Sequence, residues 1–270
     1  LGSEVNSLVI KDEKLKSKEG VKVPKEPRPR NNRKEKNAGD TVTRNIVIGM
    51  VALVVLSGLI FTVIDKRSSS EVALPATIES IDSSNNGAPL VGSVSEENDF
   101  GISFNDANPF QIDIWEDFQC PYCKFFETEM NDYLETLIRD NQAKVVYHMA
   151  SFLGQESVRA ANAVNCAVSE GRFIEYHRAL YEVQASENSG IFSNKNLIEI
   201  GKRLGITSPE FESCVNDLKF AETVTNVGKS MKENGVEGTP TVFLNGKQWN
   251  RTSADFKVDE FKAAVEAARS

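Results

Sequence analysis

FQIDIWEDFQCPYCKFFETEMNDYLETLI, residues 110–138, is the stretch that decides the fold. Phe110 to Trp115 alternates apolar with polar side chains, the period of a half-buried strand. From Pro121 to Ile138 the apolar residues recur at helical spacing instead. Cys120-Pro121-Tyr122-Cys123 falls where one period gives way to the other. A thiolate is the reactive form of cysteine, and the unpaired N–H groups and positive dipole end of a helix stabilise it. Cys120, just ahead of the helix, is therefore expected as an exposed nucleophile of low pKa. Pro121 at the first helical position loses no hydrogen bond and pre-sets the backbone. Cys123 lies one turn on, close enough to attack a mixed disulfide and release a partner, and the oxidised pair closes a small ring that readily accepts electrons.

Outward from this stretch the periodicities keep alternating. Ala143 to Met149 reads as a second strand, and residues 155–234 as successive helices broken at Gly171, Ser186–Gly190, Gly205 and Pro209. Thr241 to Leu244 is a third strand, Asn245-Gly246 a hairpin turn, and Lys247 to Trp249 its partner. Asp259 to Arg269 closes as a helix whose N-terminal acid suits its dipole. The order is β-α-β, a helical block, then β-β-α, an α/β domain over residues 100–270 with a helical insertion at about 155–225.

The N-terminal part differs in kind. Residues 1–44 carry 12 Lys and Arg against 7 Asp and Glu, whereas the whole chain has 31 against 39. With its Pro-rich basic run Val23 to Arg30, this tail is too polar to bury much surface and reads as disordered. Ile46 to Ile64 is a 19-residue run without a charge. About 20 apolar residues cross ~30 Å of hydrocarbon, so residues 45–65 are expected to span a bilayer. Basic residues concentrate before the run, which puts 1–44 in the cytoplasm and the rest outside it. The long leader and long apolar run favour an uncleaved signal-anchor over a signal peptide. Residues 66–99, rich in Ser, Asn, Pro and Gly, read as a flexible stalk. The acidic remainder argues against a nucleic-acid partner, which needs a basic face.

Two other uses of a CxxC are weighed. Zinc needs a second ligand pair, but Cys166 and Cys214 are isolated and His148 and His177 lie in no ligand pattern. A purely structural bridge inside a CxxC is uncommon. Neither a metal nor another cofactor is expected.

Trp115 to Glu127, WEDFQCPYCKFFE, closely resembles the active-site segment of DsbA-like thioredoxin-fold thiol:disulfide oxidoreductases, in which Asp-Phe-x-Cys-Pro-aromatic-Cys recurs. Gly238 to Gly246, GTPTVFLNG, resembles that family's second motif, and the helical block is what the family inserts into thioredoxin. The resemblance covers about residues 105–268 and points to a membrane-anchored bacterial member. CPYC is also found in glutaredoxins, but those are short proteins without a membrane segment or helical insertion.

The resemblance implies catalytic Cys120 and Cys123, supported by Pro121, Tyr122, Thr239 and a cis Pro240 stacked beside the dithiol. It implies that Glu127, four residues after Cys123, relays the proton of the inner thiol; a solvated surface acid is the equal alternative. Glu116 and Asp117 read as mainly structural, as do His148 and His177. Cys166 and Cys214, both in the insertion and in an oxidising compartment, read as a structural disulfide, with free buried thiols as the alternative. Closing that loop would stabilise by roughly 4 kcal/mol on the chain-entropy model. The function expected is disulfide introduction into exported proteins with reduced cysteines, with reoxidation by a membrane quinone-linked partner. An isomerase or reductase fed by a membrane electron donor, and a non-catalytic binding module, remain the alternatives.

Overall fold

A computed structural model of the chain describes residues 72–75, 78 and 88–270. The expected basic tail 1–44, the apolar run 46–64 and much of the expected stalk lie outside the described residues. Among the described residues no helix is long and apolar enough to cross a membrane.

Six strands, β1 (Ser93–Val94), β2 (Ile102–Phe104), β3 (Gln111–Glu116), β4 (Lys144–Met149), β5 (Thr241–Leu244) and β6 (Lys247–Gln248), form one sheet ordered β1-β2-β4-β3-β5-β6. Only β3 and β4 run parallel. Parallel neighbours need a long crossover, and helix α1 (Pro121–Arg139) supplies it. The register pairs Trp115 of β3 with Thr241 of β5. The chain leaving β3 towards Cys120 therefore runs beside the chain entering β5 from Pro240. Two motifs more than a hundred residues apart meet for that reason.

Side chains alternate across β3. Ile112 and Ile114 belong to the main core with Phe126, Met130 and Leu134 of α1 and with Phe261 and Val265 of α7 (Val258–Arg269), all buried. Burying each such side chain contributes about 1.5–3 kcal/mol. Trp115 points to the other face, into a smaller cluster with Val227 and Val236.

Between β4 and β5 lie α2 (Gln155–Ser169), α3 (Phe173–Val183), α4 (Asn194–Arg203), α5 (Pro209–Asn216) and α6 (Ala221–Glu233). The expected breaks have local causes. Gly171 and Gly205 adopt positive φ (68° and 79°) just past α2 and α4, the left-handed turn that ends helices at little cost for glycine. Ser208 accepts a hydrogen bond from Phe211 N, with Pro209 at the first helical position. A disulfide joins Cys166 of α2 to Cys214 of α5.

The flexible-stalk reading of 66–99 needs correction where the structure describes it. Ser93–Val94 pairs with β2, Ile78 is fully buried, and Val72, Leu74 and Leu90 pack against the core. Asn196 Nδ2 donates to Val72 O (3.0 Å) and Arg203 Nη1 to Pro75 O (2.9 Å). Single apolar residues scattered among Ser, Asn and Gly make no periodic signal, yet Val72, Leu74, Ile78 and Leu90 each find a place in or against the core. The domain therefore begins before residue 100.

Candidate active site

Cys120 is the N-cap of α1, with extended backbone (φ −75°, ψ 118°) and Pro121 next. Its peptide N–H donates to Asp117 O (2.9 Å), which closes the turn out of β3. The Asp117 carboxylate, itself buried, accepts from Gln119 N, Phe152 N, Leu153 N and Ser157 Oγ. From the insertion, Gln184 Nε2 at the end of α3 donates to Phe118 O (2.7 Å) and Cys120 O (2.9 Å). The turn that carries the first thiol is thus held from both the sheet and the helical block.

Cys120 and Cys123 are free thiols, both buried. The expectation of an exposed Cys120 is corrected: it is only 7% exposed, with Thr239 O 3.4 Å from its sulfur. The exposed groups at the mouth are aromatic, Tyr122 and Phe125, each 58% exposed. The Thr239–Pro240 peptide bond is cis. Grooves of about 340 and 320 Å³ share Tyr122, Arg251 and Phe256, and the first also takes in Thr239 and Pro240.

The two thiols are set far apart in acidity. The Cys123 thiol, donating to Cys120, chiefly lowers the Cys120 pKa to about 6; burial opposes this, and Thr239 and the Cys123 and Tyr122 N–H groups reinforce it. Cys123 is pushed well above the usual thiol value by burial, by its bond to Cys120 and by the charges of Glu116 and Cys120. One sulfur is a thiolate at neutral pH and the other holds its proton.

Three fully enclosed ionisable side chains, Glu116 of β3, Glu127 of α1 and His177 of α3, form a cluster near the inner thiol. His177 Nε2 lies 3.2 Å from Glu116 Oε1, and His177 Nδ1 lies 3.7 Å from Glu127 Oε2. Burial pushes Glu116 up to about 8 and likewise Glu127, with Glu116 adding to the rise in Glu127; burial lowers His177 to about 4. The contacts are therefore between neutral groups at pH 7, with both carboxyls holding protons. The Tyr181 hydroxyl faces Glu116 and lowers its pKa against the effect of burial, while Glu127 Oε1 is buried without a hydrogen-bond partner among the described residues. Such a group is costly in a core, which suits a device that moves protons. Donor atoms of the three residues lie within 4.8 Å of one another, a spacing compatible with a metal ion. The rings of Phe118, Tyr147, Phe173 and Tyr181 packed about His177, and carboxyls protonated at neutral pH, favour proton storage over ligation.

Glu127 is thus buried and not a solvated surface acid. Glu116 also lies at the site, and His177 joins them although no motif marks it. The one available signal is the aromatic stripe Phe173, His177, Tyr181 at four-residue spacing along α3. His148 lies away from the cluster, stacked on Trp115 (4.0 Å between ring centres) and 3.1 Å from Asp113.

A thioredoxin family model matches residues 105–267. This chain belongs to the thioredoxin family. Curated relatives of this thioredoxin-family chain include a Rickettsia typhi protein provisionally named a protein-disulfide oxidoreductase, 25% identical, covering 64% of this chain and 63% of its own. A Rickettsia bellii protein of the same provisional name is 23% identical, covering 64% and 65%. The chain thus spans just under two thirds of the length of these relatives. Among solved structures, oxidised BdbD from Bacillus subtilis superposes with TM-score 0.56 at 21% identity, covering 67% of this chain and 98% of that one. That likeness is one of fold.

Alkylation of the reduced protein with iodoacetamide is expected to follow a midpoint near pH 6, with Cys120 the only residue modified at pH 7. A midpoint near 9 would show that neither the Cys123 thiol nor the N–H groups at the helix start stabilise the thiolate.

A second outcome follows from the cluster. The unperturbed carboxyl value is 4.5 and the folded value of Glu127 about 8, so folding takes up a proton between those values, and the cost to stability grows as pH rises through them. Glu127→Gln is expected to unfold at higher urea than the parent at pH 8, with the advantage fading towards pH 4.5. A variant less stable than the parent at pH 8 would mean that Glu127 is held ionised.

Proposed function

We propose that this chain is a DsbA-like thiol–disulfide oxidoreductase that introduces disulfides into exported proteins. The observation that carries it is the split between the two thiols, a Cys120 thiolate and a protonated Cys123 within one helical turn. A low pKa on the outer sulfur makes the reduced form stable, and a disulfide whose reduced form is stable is an oxidant.

In the forward reaction a substrate thiolate attacks Cys120 Sγ of the oxidised pair. The Cys120–Cys123 bond breaks, a substrate–Cys120 bond forms, and Cys123 leaves as a thiolate that takes up a proton. A protonated carboxyl of the Glu116–Glu127–His177 cluster is the source nearest in kind, since both carboxyls hold protons at neutral pH. A second substrate thiolate then attacks its own sulfur in the mixed disulfide and releases Cys120 as a thiolate. The substrate loses two electrons and gains a disulfide; the enzyme gains them as a dithiol. Thr239 offers main-chain groups beside the sulfur, where an extended substrate segment pairs as a strand.

Returning to the oxidised state needs an external acceptor, which the reading assigns to a membrane quinone-linked thiol oxidase. The apolar run 46–64 supports anchoring in the cell membrane with the N-terminus cytoplasmic and the catalytic domain outside. Tethering would confine the dithiol to the plane of its oxidant.

Equilibration of residues 72–270 in glutathione buffers tests the direction of flow. The expected potential lies well above the thioredoxin value of about −270 mV, towards about −120 mV; a value at or below thioredoxin's would convert the reading to a reductase. Topology is tested separately with a membrane-impermeant maleimide on intact cells. After reduction of the pair with dithiothreitol and its removal, Cys120 is expected to be labelled without lysis, and labelling only after lysis would place the domain inside.

A further inference from the structure

A groove of about 570 Å³ lies between the residues after β4 and helix α6. Its apolar lining includes Phe152, Val224, Met231 and Val236, and its cations are Lys229 and Lys232. Phe152 is 52% exposed, the fourth large hydrophobic residue at such exposure among the described residues after Val91, Tyr122 and Phe125. An exposed aromatic costs solubility unless something covers it.

Both ends of this groove are tied to the dithiol. Phe152 N donates to the Asp117 carboxylate (3.1 Å), which also accepts from Gln119 N, and Asp117 O accepts from Cys120 N. Val236 and Glu237 lead directly into Gly238-Thr239-Pro240. A polypeptide joined to Cys120 would thus have a further exposed aromatic close at hand, Phe152, besides Tyr122 and Phe125.

The charges favour one kind of occupant. Lys229 Nζ bonds only the neutral Asn226 Oδ1 (3.0 Å). Neither Lys229 nor Lys232 has an ion pair among the described residues, and Glu237 is the one acid of the lining. The chain as a whole is acidic, with a formal net charge of −8, so its general field opposes an anionic partner. A local pair of lysines beside apolar surface, against the single acid Glu237, acts against that field.

We infer that the groove between Phe152 and α6 is a second docking surface for the substrate polypeptide, taking an extended segment that alternates apolar and acidic side chains near the reacting cysteine. The inference rests on the disulfide-exchange reading and names the substrate feature that the same site selects. Tyr122 and its grooves engage one part of the segment, and Phe152 with Lys229 and Lys232 engages another.

The test uses the oxidised protein and two synthetic peptides. Each has a central cysteine pair, flanked on both sides by Leu-Asp-Leu-Glu in one and by Leu-Lys-Leu-Lys in the other. Each oxidation rate is divided by the rate with dithiothreitol, which is too small to reach the groove. The acidic peptide is expected to react roughly three- to tenfold faster than the basic one, the size of two screened charge contacts. That preference should shrink with added salt. The double variant Lys229→Glu/Lys232→Glu is expected to reverse it, and Phe152→Ser to slow both peptides.

Equal peptide rates in the parent, or a ratio unmoved by the charge reversal, would overturn the inference while leaving the exchange chemistry intact. So would variants that change only the sedimentation of the protein, since the face would then be a contact between copies of this chain. Failure to oxidise dithiothreitol itself would sink the exchange reading, and the docking surface would fall with it.

Discussion

Strand β3 is bonded on both sides, parallel to β4 and antiparallel to β5, and this double pairing is the constraint on which the site depends. A strand fixed along both edges cannot slip without turning every side chain to the wrong face. The register opposite Thr241 brings the Thr239–Pro240 turn to Cys120, and the phase of the pleat sends Glu116 inward with Ile112 and Ile114. A slip of one residue would bring Trp115 to the inner thiol and put Glu116 among the apolar residues of α6. The chemistry is thus inherited from the placement of two isoleucines.

The cost of the arrangement is concentrated in one place. Two carboxyls and an imidazole sit enclosed among aromatic rings, with Glu127 Oε1 left unpaired among the described residues. At high pH the carboxyls would have to remain protonated or be ionised in a core, and at low pH the imidazole faces the converse demand. A core optimised only for stability would carry apolar groups here. Retaining all three beside a thiol that must gain and lose a proton is what a functional compromise looks like in a packed interior.

Much of this is legible in the sequence because it is local. The alternation through Trp115, the proline after Cys120 and the helical run after it specify strand, cap and helix within thirty residues. The helix breaks are equally local. What escaped is what only the tertiary arrangement creates. His177 carries no motif, because its role arises from α3 lying across Glu116 and Glu127. The burial of Cys120 depends on a loop about 120 positions away. The packing of Val72, Leu74 and Ile78 escaped for another reason, since isolated apolar residues in a polar stretch have no period to detect.

Gln184 has a wider meaning than a pair of hydrogen bonds. Its amide reaches from the end of α3 to the carbonyls of Phe118 and Cys120, and the same helix supplies His177. The helical block therefore forms one wall of the redox centre, and is no detachable ornament on an older sheet. A pared-down domain with the block removed would leave the Phe118 carbonyl without its Gln184 donor and Glu116 without its imidazole. The sheet and the helical block thus complete the redox centre only together.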